Sequence, residues 1–190
     1  MNRQKRKTQA AIIKALLKNA IIKGIEQVTV QDIVDDADIN RATFYNHFKD
    51  KQDLIEHIES NTLNGLIQHL KIPKYGVQSF SDLIYPPILN SLEHVKQYSY
   101  TYSVLLSPNG PTDFRWRMLE IIKKAVRHSI EEINNRDIHI NNKESYLIDF
   151  VAGAHLSIII SWVENGFDCE PNELAMQISS LLSNGIDTDS

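Results

Sequence analysis

The spacing of apolar residues constrains the fold of this chain more than any other feature of its sequence. Apolar residues recur three and four positions apart almost throughout, and no stretch alternates with period two between turn residues. A helical repeat of 3.6 residues places such positions on one face. The sequence therefore predicts an all-α protein, whose 190 residues are enough for one domain or two small ones.

The charges are segregated along the chain, although the net charge is −4. Residues 1–23 contain seven lysines and arginines and no acid, whereas residues 61–190 contain ten basic and fifteen acidic side chains. This division fits a protein that meets phosphate with its cationic end and keeps an acidic body away from it. A basic tail is also often only a solvated segment, so the charges alone leave both interpretations open.

Several classes of protein are disfavoured by the sequence. No run approaches the roughly 18 apolar residues of a membrane span, and the basic N-terminus is not followed by an apolar signal core, so we expect a cytoplasmic protein without a membrane partner. The single cysteine, Cys169, excludes an internal disulfide and a thiolate metal site. Phosphate loops, nucleophile elbows and His-Glu-x-x-His motifs are absent from the sequence. We expect no enzyme activity, no metal and no cofactor.

Short helices are predicted near the N-terminus and longer ones after them. Gly24 ends the first helix, and Thr29 caps the second. The predicted helices of the first part cover residues 8–23, 30–37, 40–47 and 51 onward. Those of the second part cover 81–107, 112–134, 143–165 and 171–184, with an interruption of 81–107 at Pro86-Pro87 or near His94.

The second and third helices are too short to bury a core alone, so they must pack on the first and fourth. The side chains predicted to form this shared core are Ile33, Val34, Ala37, Ile39, Phe44 and Phe48. The outer face of the third helix is then left with Arg41, Ala42, Thr43, Tyr45, Asn46 and His47. A short polar face of this kind suits a helix that lies in the major groove of DNA with its N-terminal end toward the bases.

The segment resembles the DNA-binding domain of TetR/AcrR-family transcriptional regulators. The matching residues are Thr29-Val30-Gln31-Asp32-Ile33-Val34, Ala37, Ile39, Thr43-Phe44-Tyr45-Asn46-His47-Phe48-Lys49-Asp50-Lys51 and Leu54. The resemblance covers about a quarter of the chain. It implies a three-helix helix-turn-helix DNA-binding domain over residues 1–52, with double-stranded operator DNA as its partner. Asp38 departs from the pattern, because the family usually has glycine in the turn.

The resemblance also implies a role for each exposed side chain. Gln31, Arg41 and Ala42 take positions that face bases, and Arg41 alone has the planar fork for a bidentate guanine contact, worth about 1–3 kcal/mol of discrimination. The positions from which such regulators hold phosphates are those of Thr29, Thr43, Tyr45, His47 and Lys51. Lys51 adds a cation to the free N–H groups of a helix N-terminus. For any one of these residues, a purely structural role is the competing interpretation.

Residues 53–190 are predicted to form a larger helical ligand-binding and dimerisation domain. Part of it, from Ala152-Gly153-Ala154 to Leu174-Ala175, is similar to the C-terminal domain of a subgroup that includes regulators related to dihydroxyacetone-kinase operons. The family's last two long helices form a four-helix dimer interface. Apolar stripes that permit a homodimer here comprise Ala154, Ile158, Ser161, Trp162 and Asn165, then Leu174, Ile178, Leu181 and Leu182; an ordinary monomeric core would show the same periodicity.

The resemblance implies a repressor that a small-molecule inducer releases from its operator. The sequence does not identify the inducer. Aromatic and histidine side chains would either line its pocket or fill the core, namely Tyr98, Tyr100, Tyr102, Phe114, Trp116, His128, His155 and Trp162. The alternative is a TetR-like co-regulator or activator that a partner protein controls without a small ligand.

Overall fold

The structure, a computed structural model, describes residues 3–71, 80–134 and 144–184. Within these residues the regular structure is helical, with no strand, which confirms the predicted all-α class. The α-helices are α1 (Arg3–Lys23), α2 (Val30–Asp36), α3 (Arg41–Tyr45), α4 (Lys51–His69), α5 (Phe80–Gln97), α6 (Ser99–Leu105), α7 (Phe114–Asn134), α8 (Glu144–Glu164) and α9 (Pro171–Asn184), with a 3-10 turn at Ile25–Gln27 after α1.

One compact unit comprises residues 1–62 together with 100–114. Here α1 packs against α2, and α2 packs against α3. Four of the six predicted core residues, Ile33, Val34, Phe44 and Phe48, are buried, while Ala37 and Ile39 are half-buried. Other large side chains that are fully buried in this unit include Ile12, Leu16, Ile25, Leu54, Tyr102, Leu105 and Phe114.

Helix α1 begins five residues earlier than predicted, at Arg3 and not at Thr8. Arginine, lysine and glutamine lose little side-chain freedom in a helix, and nothing between them breaks one. The basic segment is therefore the first turns of α1. Its C-terminal end lies where predicted, because Gly24 follows Lys23 with φ +82°, a conformation that favours glycine.

The second compact unit comprises residues 63–99 together with 115–190. Helix α5 packs along α9. In this unit, a Cβ atom at Gly65 would lie 2.4 Å from the ring of the buried His94, so glycine permits the close approach of that ring to α4. The core of the unit includes Leu92, Val95, Met118, Ile122, Ile148, Ala152, Ile159, Trp162 and Ala175.

Helix α5 continues through Pro86 and Pro87, so the interruption predicted at these residues is not present. Each proline inside a helix removes a hydrogen bond and costs about 3 kcal/mol or more. Leu92 and Val95 of the same helix are fully buried, and burial of such side chains offsets a loss of this kind. Helix α5 ends at Gln97, three residues beyond His94, which is close to the other predicted interruption.

Helix α8 is apolar over nearly all of its length. By length and composition alone, residues 145–164 would be able to cross a membrane, so the expectation that no run approaches such a length is wrong for this stretch. Ile148, Ala152 and Ile159 are buried within the chain, as in the core helix of a globular protein. Two large side chains of α8, Tyr146 and Phe150, are 68% and 67% exposed.

Candidate nucleic-acid interface

The N-terminus of α2 is fixed by a capping box. The Asp32 N–H donates to Thr29 Oγ1 (3.2 Å), and the Thr29 N–H donates back to Asp32 Oδ2 (2.7 Å). Lys23 adds an ion pair of 2.6 Å to the same carboxylate. Hydrogen bonds from Lys23 and then Thr29 hold the pKa of Asp32 far below its usual value. The end of α1 is thereby tied to the start of α2.

Asn40 caps α3, the predicted recognition helix. Its Oδ1 accepts from the Thr43 N–H (2.7 Å) and from the Thr43 hydroxyl (2.9 Å). Helix α3 has only five residues, from Arg41 to Tyr45, so this cap satisfies a large share of its unpaired N–H groups. The sequence prediction began the helix at Asn40, which is the cap and not the first helical residue.

The turn between α2 and α3 contains Asp38 with φ +50°. This is the left-handed region, which glycine enters without strain and which aspartate tolerates better than most residues. The Ile39 N–H donates to the Val34 carbonyl (3.0 Å), which holds the turn against α2. Asp38 thus adopts a backbone conformation that glycine would enter without strain.

The structure places the predicted interface residues on the surface of the first unit. Arg41, Ala42, Tyr45 and Asn46 are exposed on α3 and its C-terminal cap, and Thr29 and Gln31 are exposed at the start of α2. Thr43, His47 and Lys51 are half-buried. The Tyr45 ring packs edge-on against the buried Phe44 at 5.4 Å between centroids, and 53% of the tyrosine stays accessible.

Gln31 and Arg41, both predicted to face bases, are directly hydrogen-bonded. Arg41 Nε donates to Gln31 Oε1 (2.9 Å), and Gln31 Nε2 donates to Asp35 Oδ1 (2.7 Å). The chain of contacts runs from an exposed carboxylate on α2 to the guanidinium on α3. Because Nε is the atom engaged, the two terminal amino groups of Arg41 keep the fork that matches O6 and N7 of guanine.

Lys51 has a different environment from the predicted phosphate clamp. Its ammonium donates to the carbonyl oxygens of Glu26 (2.8 Å) and Ile25 (3.2 Å) in the 3-10 turn after α1. The Thr29 hydroxyl donates to Asp32 (2.6 Å), and the Thr43 hydroxyl donates to Asn40. A phosphate contact through either hydroxyl would require an exchange of hydrogen-bond partner, whereas the Lys51 ammonium keeps a third N–H for one.

Lys5, near the basic start of α1, affects the pKa of His47 just after α3. Burial, and then the positive charge of Lys5, lower the pKa of His47. His47 directly follows the C-terminal cap of α3, so Lys5 contributes positive charge near the end of the recognition helix. Lys5, which belongs to the cationic segment seen in the sequence, is thus close enough to the predicted interface to affect the charge of His47.

Three residues of this site were not selected from the sequence as binding residues. Asn40 was detectable as a favourable cap residue before a short helix, and Asp35 as the partner of Gln31 four positions away on α2. The proximity of Lys5 to His47 joins positions 42 residues apart, and no local pattern encodes it.

Two family models together match most of the chain. Residues 12–58 match the model described as bacterial regulatory proteins, tetR family, and residues 82–184 match the model of a transcriptional regulator C-terminal region. Helix-turn-helix geometry with an exposed polar third helix, followed by a helical body, defines a DNA-binding transcriptional regulator. The chain belongs to the TetR family of bacterial transcriptional regulators.

Solved structures with this fold are similar over nearly the full chain. The dihydroxyacetone kinase operon activator DhaS is 23% identical, with a TM-score of 0.66 over 92% of this chain and 93% of that one. The TetR-family regulator PfmR of Thermus thermophilus is 16% identical, with a TM-score of 0.70 over 94% and 96%. The fatty acid degradation regulator FadR of Bacillus halodurans is 13% identical, with a TM-score of 0.67 over 98% and 97%. No curated protein matches the sequence significantly.

Proposed function

We propose that this regulator is a repressor that binds a palindromic operator as a homodimer and leaves it when a small-molecule inducer binds its second unit. The observation that carries the proposal is the chain of hydrogen bonds from Asp35 through Gln31 to Arg41. It presents an oriented guanidinium fork at the N-terminal end of an exposed helix, which is the end that enters the major groove in helix-turn-helix proteins.

Within this proposal, Arg41 reads a guanine, and Gln31 and Ala42 contact neighbouring base edges. Thr29, Thr43, Tyr45, Asn46, His47 and Lys51 surround these residues and contact the phosphate backbone. Tyr45 and the N-terminus of α4 at Lys51 suit this role best, because the side chain of the first is exposed and the first turn of a helix favours an anion. Lys5 adds positive charge to this surface, and we assign it no contact with a base.

The dimer surface we propose is the exposed face of α8, together with that of α9. Tyr146, Phe150, Gly153, Ser157 and Glu164 follow one another at helical spacing on the outside of α8. Apart from the backbone of α8 and the two neighbours of Gly153, no atom of the described residues lies within 4 Å of a Cβ built there, so the helix of a second copy would have room to approach closely. Such an arrangement would cover the apolar surface of α8.

This face is rotated from the stripes predicted from the sequence. Trp162 and Ile178 are 3% and 4% exposed in the single chain and therefore belong to its own core. Ser161, Asn165 and Leu181 are exposed and remain candidates for contacts with the partner, while Ala154, Ile158, Leu174 and Leu182 are half-buried.

We propose a cytoplasmic regulator without enzyme activity, since its partner is chromosomal DNA.

Selection of fragments from the source genome tests the proposal directly. We expect the purified protein to enrich a palindrome whose half-sites lie about one helical turn apart or a multiple of it, with affinity that falls steeply as salt rises. Arg41→Ala should relax the base preference by roughly 1–3 kcal/mol, whereas Lys51→Ala should weaken binding to all sequences alike. Equal binding of selected and scrambled fragments by the unmodified protein would refute operator recognition.

A second candidate is an activator or co-regulator that a partner protein controls. It is favoured by the similarity to DhaS, which is described as an operon activator. A pulldown that recovers a stoichiometric partner, with loss or gain of operator affinity on its addition and no thermal shift from small molecules, would support this candidate over the inducer.

A further inference from the structure

An apolar cavity in the second unit is bounded by α5, α7, α8 and α9 and by Leu70 after α4, and it opens to the surface beside the exposed side chains of Phe150 and Leu181. Its volume is about 190 Å³. Of the described residues that line it, Ser129 and His155 alone carry polar side chains, and none is an acid, a lysine or an arginine. The wall is otherwise aliphatic, apart from the ring of Phe150.

The volume sets the size of the part of an occupant that the cavity encloses. An apolar cavity of roughly 150 Å³ in another protein stays dry and binds benzene. A volume of about 190 Å³ fits a somewhat larger molecule, such as a ring with a short substituent or a flexible chain of about six to ten carbons. Water would find few partners on such a wall, because a buried water needs two to four polar neighbours.

The hydrogen bonds of His155 determine what its ring offers to a ligand. Ser91 Oγ donates its single hydrogen to the Ile88 carbonyl at 2.7 Å, so at its 3.1 Å contact with His155 Nε2 the hydroxyl oxygen accepts. This network assigns the proton of the ring to Nε2 and a lone pair to Nδ1. Burial lowers the pKa of His155 to about 4, so the ring is neutral at physiological pH.

Ser129 offers the same chemistry from α7. Its hydroxyl donates to the Ala125 carbonyl at 3.0 Å, which leaves lone pairs on the oxygen. Both polar groups of the wall therefore accept hydrogen bonds. A matching ligand needs a donor. A carboxylate held against these two groups would lose water without gaining a cation from any described residue of the wall, which is unfavourable.

We infer that this cavity binds a neutral, mainly apolar molecule of about six to ten carbons with one hydroxyl group, which donates to His155 Nδ1 or Ser129 Oγ. Only the role of this molecule as inducer rests on the proposed function; its chemical class follows from the wall. Phe150 and Leu181 contribute to the wall and are exposed on the proposed dimer faces of α8 and α9. An occupant therefore contacts side chains that the dimer uses, which provides a route from ligand to operator affinity.

Probes with eight carbons and different head groups test the inference on the full chain. In calorimetric titrations at pH 7, we expect 1-octanol to bind at least tenfold more tightly than octanoate or octylamine. Ala154→Phe should abolish octanol binding because it fills the cavity, whereas Ala10→Phe, the same change at an exposed site on α1, should not alter it. Octanoate or octylamine binding as tightly as octanol, or octanol binding that survives Ala154→Phe, would overturn the inference.

An NMR measurement on the unmodified protein, together with the Ser129→Ala variant, tests the hydrogen bond itself. In long-range ¹H–¹⁵N spectra of the histidine rings, octanol should shift the unprotonated Nδ1 resonance of His155 upfield, and octane should not. An unchanged Nδ1 together with unchanged octanol affinity in Ser129→Ala would refute the proposed hydrogen bond. If octanol binds as described but operator affinity is unaffected, the ligand class stands and the inducer role in the proposed function fails.

Discussion

Asp35 allows the positioning of Arg41 to be tested separately from direct contact with DNA. It holds Gln31, which holds Arg41, and all three side chains are exposed. Asp36, the next residue, carries the same charge but pairs with Lys18 of α1. The two aspartates therefore form a matched pair in which one is connected to Arg41 and the other is not.

We predict opposite effects of Asp35→Ala on general affinity and on specificity. Loss of a negative charge should raise affinity for scrambled DNA a few-fold, while a less ordered Arg41 should lower the ratio of operator to scrambled affinity, on the order of tenfold or less. Asp36→Ala should raise both affinities and leave the ratio unchanged. Fluorescence anisotropy with both duplexes at two salt concentrations measures these quantities, and equal ratios in the two variants would contradict the positioning role.

At the scale of single helices, the cap of α3 is the most sensitive point of the interface. Five residues form too few internal hydrogen bonds to hold a helix by themselves, so α3 depends on Asn40 and on the buried Phe44. Cap and core fix the orientation of the exposed face that Arg41 and Tyr45 share.

Asn40→Ala should lower the free energy of unfolding by about 1 kcal/mol, because the Thr43 N–H loses its acceptor. It should also reduce operator affinity by more than the loss of a single surface contact, since the whole face of α3 becomes less ordered. Asn40→Ser is the control, because serine also caps helices well and should retain most of both quantities. Denaturant titration and anisotropy give the measurements, and an Asn40→Ala protein as stable as the unmodified one would disprove the capping role.

Several helix limits were predictable because local chemistry determines them. The start of α2 after Thr29, the start of α4 at Lys51 and the limits of α9 were all predicted correctly, since caps and proline mark them in the sequence. The continuation of α5 through Pro86-Pro87 was not predicted, because it depends on tertiary packing. The hydrogen bonds of Lys51 to the turn after α1 were missed for the same reason, as they join residues 25 and 26 positions apart.

For the whole molecule, the exposed apolar face of α8 calls for a partner. Phe150 is 67% exposed, and a second copy packed on this face would remove it from water. Members of a family that reads palindromes need a two-fold axis, so oligomeric state and operator affinity should change together.

Phe150→Glu should convert the protein to a monomer and reduce operator affinity at least a hundredfold, because two charges would meet near the two-fold axis. Ile67→Glu on α4 replaces another exposed apolar residue, 41% accessible and outside the proposed interface, and should leave the dimer intact. Sedimentation velocity with and without operator provides the readout. A dimeric Phe150→Glu protein would show that the subunits associate elsewhere.

The sequence did not predict which aromatic and histidine residues line a pocket and which belong to the core. Eight aromatic and histidine residues were candidates for the pocket, and among them His155 alone lines the cavity. Tyr102 and Phe114 are completely buried in the other unit, whereas Tyr98, Tyr100, Trp116 and His128 are largely exposed and Trp162 is core. Helical periodicity identifies buried faces, but it does not show whether the space between them is filled.

The aspartate in the turn before α3 has a consequence for how the regulator finds its operator. Asp38 adds a fixed repulsion from any duplex, whatever its sequence, because nonspecific binding depends on backbone charge. A small loss of affinity hardly changes the occupancy of an operator that is nearly saturated. The same loss frees many regulator molecules from random DNA, because random sites are far more numerous. We expect Asp38 to shorten each dwell on random DNA, so that a small pool of dimers surveys the chromosome faster than it would with glycine at this position.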